Sequence, residues 1–151
     1  RTWREGSVRT DTSDMVQGTY GGRDNRAAVG FGGQMASDLS GATIISATLR
    51  LRASSWYSSG GGTAIIGSHG YSNVPSSFPG GSATITKSWS TKSGVQSIAI
   101  PSAWFPFLVS GAHRGYTLGD GASSSTAYYG RFDGATALPS LRPQLTVTYR
   151  K

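Results

Sequence analysis

The chain has no cysteine, few charged residues and no long apolar run. Without cysteine no disulfide can form, so the fold has to be held by a buried core, which 151 residues are enough to build. Charged residues make up only 14% of the chain. No apolar stretch approaches the roughly 20 residues of a membrane-spanning helix. We therefore expect one domain over residues 1–151 and no membrane partner.

Groups that perform catalysis are also scarce. There are two histidines and seven carboxylates, and neither a G-x-S-x-G nor an H-E-x-x-H motif is present. Most of the aspartates stand beside glycine, serine or threonine, where aspartate commonly caps a turn. We therefore predict a protein that is not an enzyme and that needs no cofactor.

One acidic pair is open to a second interpretation. Asp11 and Asp14 lie with several hydroxyl residues in the stretch RTDTSDMVQG, and such oxygen-rich loops can bind calcium. A turn stabilised by aspartate and serine side chains explains the same pattern, and we favour it. Calcium stays possible but unproven.

The excess of basic residues points to anionic partners. Fourteen Lys and Arg stand against seven Asp and Glu, which gives a net charge of +7. The basic residues are dispersed along the chain, whereas nucleic-acid-binding domains usually cluster them. We expect no nucleic-acid partner, and attraction to a bacterial wall or an acidic polysaccharide as the milder alternative.

Short strands and turn residues are what the chain has in abundance. In residues 42–56, Ile45, Leu49 and Leu51 alternate with polar residues, a period of two that predicts a strand with one buried face. Further strands are predicted at residues 2–10, 26–33, 63–71, 82–89, 95–100, 114–120, 126–132 and 143–150. Glycine, serine and proline clusters separate them. The pattern predicts an all-β antiparallel β-sandwich of jelly-roll type.

One segment breaks the period of two. In residues 100–115, Trp104, Phe105, Leu108 and Val109 recur at helical spacing, and Gly111 can end a helix. We predict one short helix there that caps the end of the sandwich. Its aromatic residues are expected to fill the core.

Aromatic residues in turn-rich stretches are the candidates for ligand binding. Sugars stack on flat aromatic rings while a few placed polar groups fix their hydroxyls. Tyr128 and Tyr129 are predicted to face opposite sides of one strand. The alternative for every aromatic residue is packing within the core. The predicted site residues are Trp56, Tyr57, His69, Tyr71, Tyr128, Arg131 and Asp133.

Three stretches carry a resemblance to a known family. Residues 19–33 (TYGGRDNRAAVGFGG), 38–52 (DLSGATIISATLRLR) and 142–149 (RPQLTVTY) resemble DNRLRE-type, carbohydrate-binding-module-like β-sandwich domains. Residues 68–93 depart from that pattern. The stretch from Trp104 to Gly119 and the ending VTYRK are most similar to C-terminal domains of actinobacteriophage minor tail (receptor-binding) proteins.

The resemblance implies a non-catalytic carbohydrate- or cell-surface-binding domain in a virion tail, with a cell-surface glycan or other polysaccharide as ligand. Other tail subunits would be partners, with a homotrimer as one arrangement, and the chain would be the C-terminal module of a longer protein. Two alternatives remain open. One is a carbohydrate-binding module of a secreted polysaccharide-degrading enzyme, and the other is a purely structural tail module that binds no glycan.

Overall fold

The computed structural model describes all residues from 1 to 151, and the chain folds as the predicted antiparallel β-sandwich. Two short α-helices, α1 (Gln34–Leu39) and α2 (Phe105–Ser110), accompany eleven strands. The strands are β1 (Thr2–Arg4), β2 (Ser7–Val8), β3 (Met15–Tyr20), β4 (Arg23–Gly30), β5 (Thr43–Trp56), β6 (Gly62–His69), β7 (Ile85–Trp89), β8 (Gly94–Ala99), β9 (Gly115–Leu118), β10 (Gly130–Phe132) and β11 (Gln144–Arg150).

The strands form two layers that β3 joins. One layer contains β1, β2, β4, β9, β6 and β7, and the other contains β11, β5, β10 and β8. The second half of β3, residues 18–20, pairs with β4 of the first layer. Its first half, residues 15–17, pairs with β10 of the second. The sheet is therefore continuous from one layer to the other through a single strand.

Pairing around β10 decides which loops meet. Both β3 and β5 are antiparallel to β10, so β3 and β5 run in the same direction. Their last residues, Tyr20 and Trp56, therefore lie at one edge of the sheet, where β10 begins. Gly94, the first residue of β8, pairs with Ala53 near the end of β5, which brings the β7–β8 turn to the same edge.

Twenty buried apolar residues form the core between the layers. Within the core the rings of Trp56, Trp89 and Phe132 contact one another, with centroids 5.3 to 5.6 Å apart. This buried aromatic triad lies directly below the edge where β3, β5 and β10 meet. It provides the floor under the loops described below.

The long strand β5 differs from the prediction in one detail. Ala47, Leu49 and Leu51 face the core as expected, but Ile45 is 58% exposed and Ile44 is buried in its place. The register with β11 shifts between Thr148 and Tyr149, which leaves Ile45 as an extra residue. A bulge of this kind reverses the side-chain alternation beyond it.

The predicted helical segment is present, and a second short helix was not predicted. A 3₁₀ turn at Ser102–Trp104 leads into α2, and Gly111 ends the helix with a φ of 83°. Trp104 and Leu108 are buried in the core as expected, whereas the aromatic ring of Phe107 is 46% exposed. The unpredicted helix, α1, precedes β5. Neither six-residue helix has the length or apolar character that crossing a membrane requires.

The segment around Tyr128 corrects another expectation. Residues 126–132 were predicted as one strand, but Thr126–Tyr128 is a 3₁₀ turn and only Gly130–Phe132 is a strand. The hydroxyl of Ser125 accepts a hydrogen bond from the amide of Ala127 at 3.2 Å and so favours the turn. Tyr128 and Tyr129 therefore do not alternate across a strand.

Candidate ligand-binding cleft

Three tyrosines meet at the edge of the sheet where β3 and β5 end. The ring of Tyr20 stacks on that of Tyr129, with centroids 5.2 Å apart and planes 18° apart. Tyr57 contacts both, at 6.0 Å from Tyr20 and 6.3 Å from Tyr129. We call Tyr20, Tyr57 and Tyr129 the tyrosine cluster.

The position of Tyr20 follows from a tight hairpin. Tyr20 is the last residue of β3 and pairs with Arg23, so only Gly21 and Gly22 connect the two strands. Both glycines have positive φ, 59° and 75°, as a two-residue type I′ turn requires. The turn matches the twist of the strands, which holds the Tyr20 ring at the tip of the hairpin.

Tyr57 and Tyr129 are held by the backbone between them. The amide of Tyr57 donates a hydrogen bond to the carbonyl of Tyr129 at 3.0 Å. Tyr57 follows the last residue of β5, and Tyr129 lies between the 3₁₀ turn and β10. Both rings are therefore attached to strand ends rather than to a long loop.

A shallow cleft of about 270 Å³ lies beside the cluster. The three tyrosines line it together with Ser55, Trp56, Lys92 and Arg131. Tyr20 is 58% exposed and Tyr57 is 54% exposed, so two aromatic faces are available to a ligand. An apolar platform with a few convergent polar groups is the general pattern of a small-ligand site.

Arg131 supplies a charged group to the cleft. It lies in β10 opposite Ser55, between the buried residues Gly130 and Phe132, so its side chain points away from the core. One terminal nitrogen, Nη1, donates to the carboxylate of Asp14 and to the hydroxyl of Thr12, both at 3.3 Å. These are long contacts, so the guanidinium is only loosely held.

Trp56, a predicted site residue, has no accessible surface and belongs to the core. It is the last residue of β5, so its side chain faces the interior while that of the next residue, Tyr57, faces solvent. Because Gly62 and Gly130 carry no side chain, the Trp56 ring fits closely against their backbones. Trp56 is one of the residues that line the cleft, but because it has no accessible surface it forms the floor, and a ligand cannot stack on it.

His69 is also buried, with 5% of its surface exposed, so it does not offer a contact to a sugar. Its Nε2 donates to the carbonyl of Val29 at 2.9 Å, and its Nδ1 accepts from the amide of Tyr71 at 3.2 Å. Burial lowers the pKa of His69, against the opposing effect of the Val29 carbonyl. Tyr71 is 53% exposed but does not line the cleft.

The two remaining predicted site residues, Tyr128 and Asp133, do not line the cleft either. The carbonyl of Tyr128 accepts from the buried amide of Gln17 at 2.9 Å, and its ring is half-buried. Asp133 accepts from Arg52 at 2.7 Å with its side chain only 13% exposed. It follows the end of β10, whereas the cleft lies at the beginning. Of the predicted residues, Trp56, Tyr57 and Arg131 line the cleft, and Tyr57 and Arg131 are the two whose side chains are exposed there.

The two carboxylates of the loop that suggested calcium are paired with arginine side chains. Both carboxylate oxygens of Asp11 accept from Arg9 at 2.9 Å, and this pairing lowers the pKa of Asp11 to about 2. Asp14 contacts Arg131, and its amide donates to Thr12 in a short turn. No group of three or more acidic or histidine side chains has an arrangement suited to a metal ion.

Sequence reasoning missed Tyr20, Tyr129 and Lys92 as site residues. Tyr20 carried a usable signal, because a Tyr-Gly-Gly stretch after a polar strand predicts a hairpin tip with an exposed ring. That signal was lost because β3 itself was interpreted as a loop. Lys92 carried no signal, since it lies in the turn between β7 and β8 and reaches the cleft through strand pairing alone.

Comparisons with family models, with curated proteins and with solved structures found no match.

Proposed function

We propose that this chain is a non-catalytic carbohydrate-binding domain and that its ligand binds in the cleft beside the tyrosine cluster. The observation that carries the proposal is the pair of half-exposed rings, Tyr20 and Tyr57, fixed on strand ends next to Arg131. Exposed aromatic groups of this kind usually mark binding surfaces. The C–H face of a sugar would stack on these rings.

Polar groups around the rings would orient the sugar hydroxyls. The guanidinium of Arg131 and the ammonium of Lys92 donate hydrogen bonds, and the hydroxyls of Ser55 and the tyrosines both donate and accept. The cleft is slightly smaller than the ~300–1,000 Å³ typical of ligand pockets, so we expect weak affinity for each site. Several copies acting together would raise the overall affinity without new contacts.

The biological setting that we propose is the tail of a phage. The resemblance to minor tail (receptor-binding) proteins supports it, and a receptor-binding module would carry this cleft to a glycan of the host surface. Other tail subunits would then be partners, and the virion tail would be its location. The same cleft would serve a secreted polysaccharide-degrading enzyme as a binding module, which is the alternative setting.

The test is a retention assay on purified bacterial cell walls and a panel of insoluble polysaccharides, with a soluble sugar as competitor. We expect the wild-type domain to be retained and then released by the competitor. Tyr57→Ala should lose at least about tenfold in affinity, since a tyrosine at the centre of a contact commonly contributes that much.

Tyr71→Ala is the matched control, because Tyr71 is exposed to the same degree but lies outside the cleft. It should bind like the wild type, and circular dichroism should show that both variants are folded. Equal retention of Tyr57→Ala and wild type would refute the site. Absence of retention on every polymer would refute the function.

A second candidate function, a structural tail module, is favoured by one observation. An apolar groove of about 360 Å³ lies between α1 and β11, lined by Phe31, Met35, Leu145, Val147 and Tyr149 among others. β11 pairs only with β5, so its other edge is free. Free strand edges and apolar grooves are common contact surfaces between subunits. No retention on glycans together with a self-associated mass by light scattering would favour this function.

A further inference from the structure

We infer that the cleft is selective for an anionic sugar, one that carries a carboxylate or a phosphate. This inference rests on the proposed function and deepens it by naming the ligand class. Its starting point is the balance of charge in the cleft. Lys92 and Arg131 line it, and no carboxylate does.

Lys92 is fixed by its backbone while its side chain is free. Its carbonyl accepts a hydrogen bond from the amide of Trp56 at 2.7 Å, which ties the β7–β8 turn to the end of β5. The residue is exposed, and its ammonium forms neither an ion pair nor a hydrogen bond within the chain. A positive charge is therefore carried at the cleft on a residue whose backbone is held against the end of β5.

Arg131 keeps most of its hydrogen-bonding capacity. Only Nη1 is engaged, at 3.3 Å from both of its partners, while Nε and Nη2 have no partner in the chain. Arg9 differs, because it makes two contacts of 2.9 Å to one carboxylate. The side chain of Arg131 is also 39% exposed. Two nitrogens of a planar guanidinium can therefore face an incoming anion.

A third cation stands at the rim. Arg23 pairs with Tyr20 across the hairpin, so the two side chains lie on one face of the strands. Arg23 is exposed and takes part in no ion pair. The tyrosine cluster is thus flanked by three cations, of which only Arg131 has a carboxylate partner.

The hydrogen-bonding character of these groups favours an anion over a neutral sugar. Lysine and arginine only donate, so their ideal partners are acceptors. A neutral sugar hydroxyl is a weaker acceptor than a carboxylate or a phosphate, and charge-assisted hydrogen bonds are roughly twice as strong as neutral ones. The rings would take the C–H face while Lys92 and Arg131 take the anionic substituent.

The test compares matched anionic and neutral ligands by isothermal titration calorimetry in 150 mM and 500 mM salt. An oligogalacturonate is compared with its carboxyl-reduced, neutral form. A phosphorylated mannan oligosaccharide is compared with its dephosphorylated form. We expect one anionic ligand to bind at least about tenfold more tightly than its neutral form, and the pair that shows the difference identifies the anionic group.

Lys92→Met separates a specific contact from diffuse attraction. It should weaken binding of the anionic ligand roughly tenfold, as loss of one charge-assisted hydrogen bond would, and weaken binding of the neutral ligand clearly less, because only a neutral hydroxyl loses its donor there. Lys151→Met is the matched control, because it removes the same charge where β11 meets the start of β5, at the opposite end from the cleft. It should bind like the wild type.

Each other outcome overturns the inference in a distinguishable way. If anionic and neutral ligands bind equally and Tyr57→Ala loses both, the charge selectivity is wrong and the proposed function stands. If Lys92→Met and Lys151→Met weaken binding equally, only the net charge of the domain acts on the ligand. If neither class of ligand binds although the domain is retained on cell walls or polysaccharides, the inference fails and the proposed function stands. If that retention is absent as well, both fail.

Discussion

Two aromatic triads lie one above the other at the same end of the sandwich, and they differ in burial although their ring spacings are similar. The rings of Trp56, Trp89 and Phe132 lie 5.3 to 5.6 Å apart and are almost fully buried. The rings of the tyrosine cluster lie 5.2 to 6.3 Å apart, and Tyr20 and Tyr57 are more than half exposed. The first triad holds the sheet edge together, and the second is available for contact.

The comparison shows how a binding surface can rest on a rigid floor. Trp56 and Tyr57 are neighbours in the chain, and the alternation of a strand places one ring inside and the other outside. Precise sites generally depend on well-packed residues beneath them. The buried triad includes the last residue of β5 and, through Phe132, packs against β10, the strand that Tyr129 directly precedes. Tyr57 and Tyr129 are therefore both adjacent to strands that the triad anchors.

The largest effect is expected from removal of the buried ring. Trp56→Ala should lower the free energy of unfolding by about 3–5 kcal/mol, because it deletes a fully buried aromatic side chain and leaves a cavity. Urea denaturation followed by circular dichroism measures the loss. Trp56→Phe should cost less, since it keeps a ring in the cavity. A loss below 1 kcal/mol for Trp56→Ala would show that the triad does not hold this end together.

A smaller loss of stability is expected at low pH, from the histidines near the far end of β6. His69 ends that strand, and burial lowers the pKa of both His69 and His113 below the usual value. Their folded pKa values are depressed, so the stability they contribute is complete above pH 6.5 and is lost as the pH falls through the folded values. Each histidine adds at most about 1.4 kcal/mol per pH unit to the slope.

Urea denaturation at a series of pH values between 7.5 and 5 measures this slope. His113→Gln should show a shallower decline than the wild type, because the imidazole that takes up a proton on unfolding is gone. The glutamine amide keeps a partner for Ser68, which contacts Nε2 of His113 at 2.9 Å. Identical slopes in the two proteins would show that His113 does not couple folding to protonation.

The sequence predicts features that depend on one strand alone better than features that depend on how strands pair. Strand periodicity predicted the sandwich, most of β5 and the helical segment that ends at Gly111. It failed at Ile45, because a bulge is a property of two paired strands and leaves no mark on one of them. It also failed for β3, whose glycine and glutamine are unusual in a strand and are explained only by its place between the layers.

The site was predicted only in part, for a related reason. Tyr57 and Arg131 lie in the cleft, but their partners Tyr20 and Lys92 come from distant parts of the chain that strand pairing brings together. Trp56 and His69 have the residue types of a sugar site, yet burial removes them from contact. Residue type is read from the sequence, whereas exposure and convergence depend on the register of the sheet.

The smallest effect on stability is expected where the effect on binding should be large. Tyr57→Ala removes a ring that is 54% exposed and contacts the rings of Tyr20 and Tyr129, so the free energy of unfolding should fall by less than about 1 kcal/mol. Urea denaturation beside Trp56→Ala compares the two neighbouring residues directly. A loss of 3 kcal/mol or more would mean that the tyrosine cluster is a second part of the core. A small loss means that Tyr57 is free to be used by a ligand.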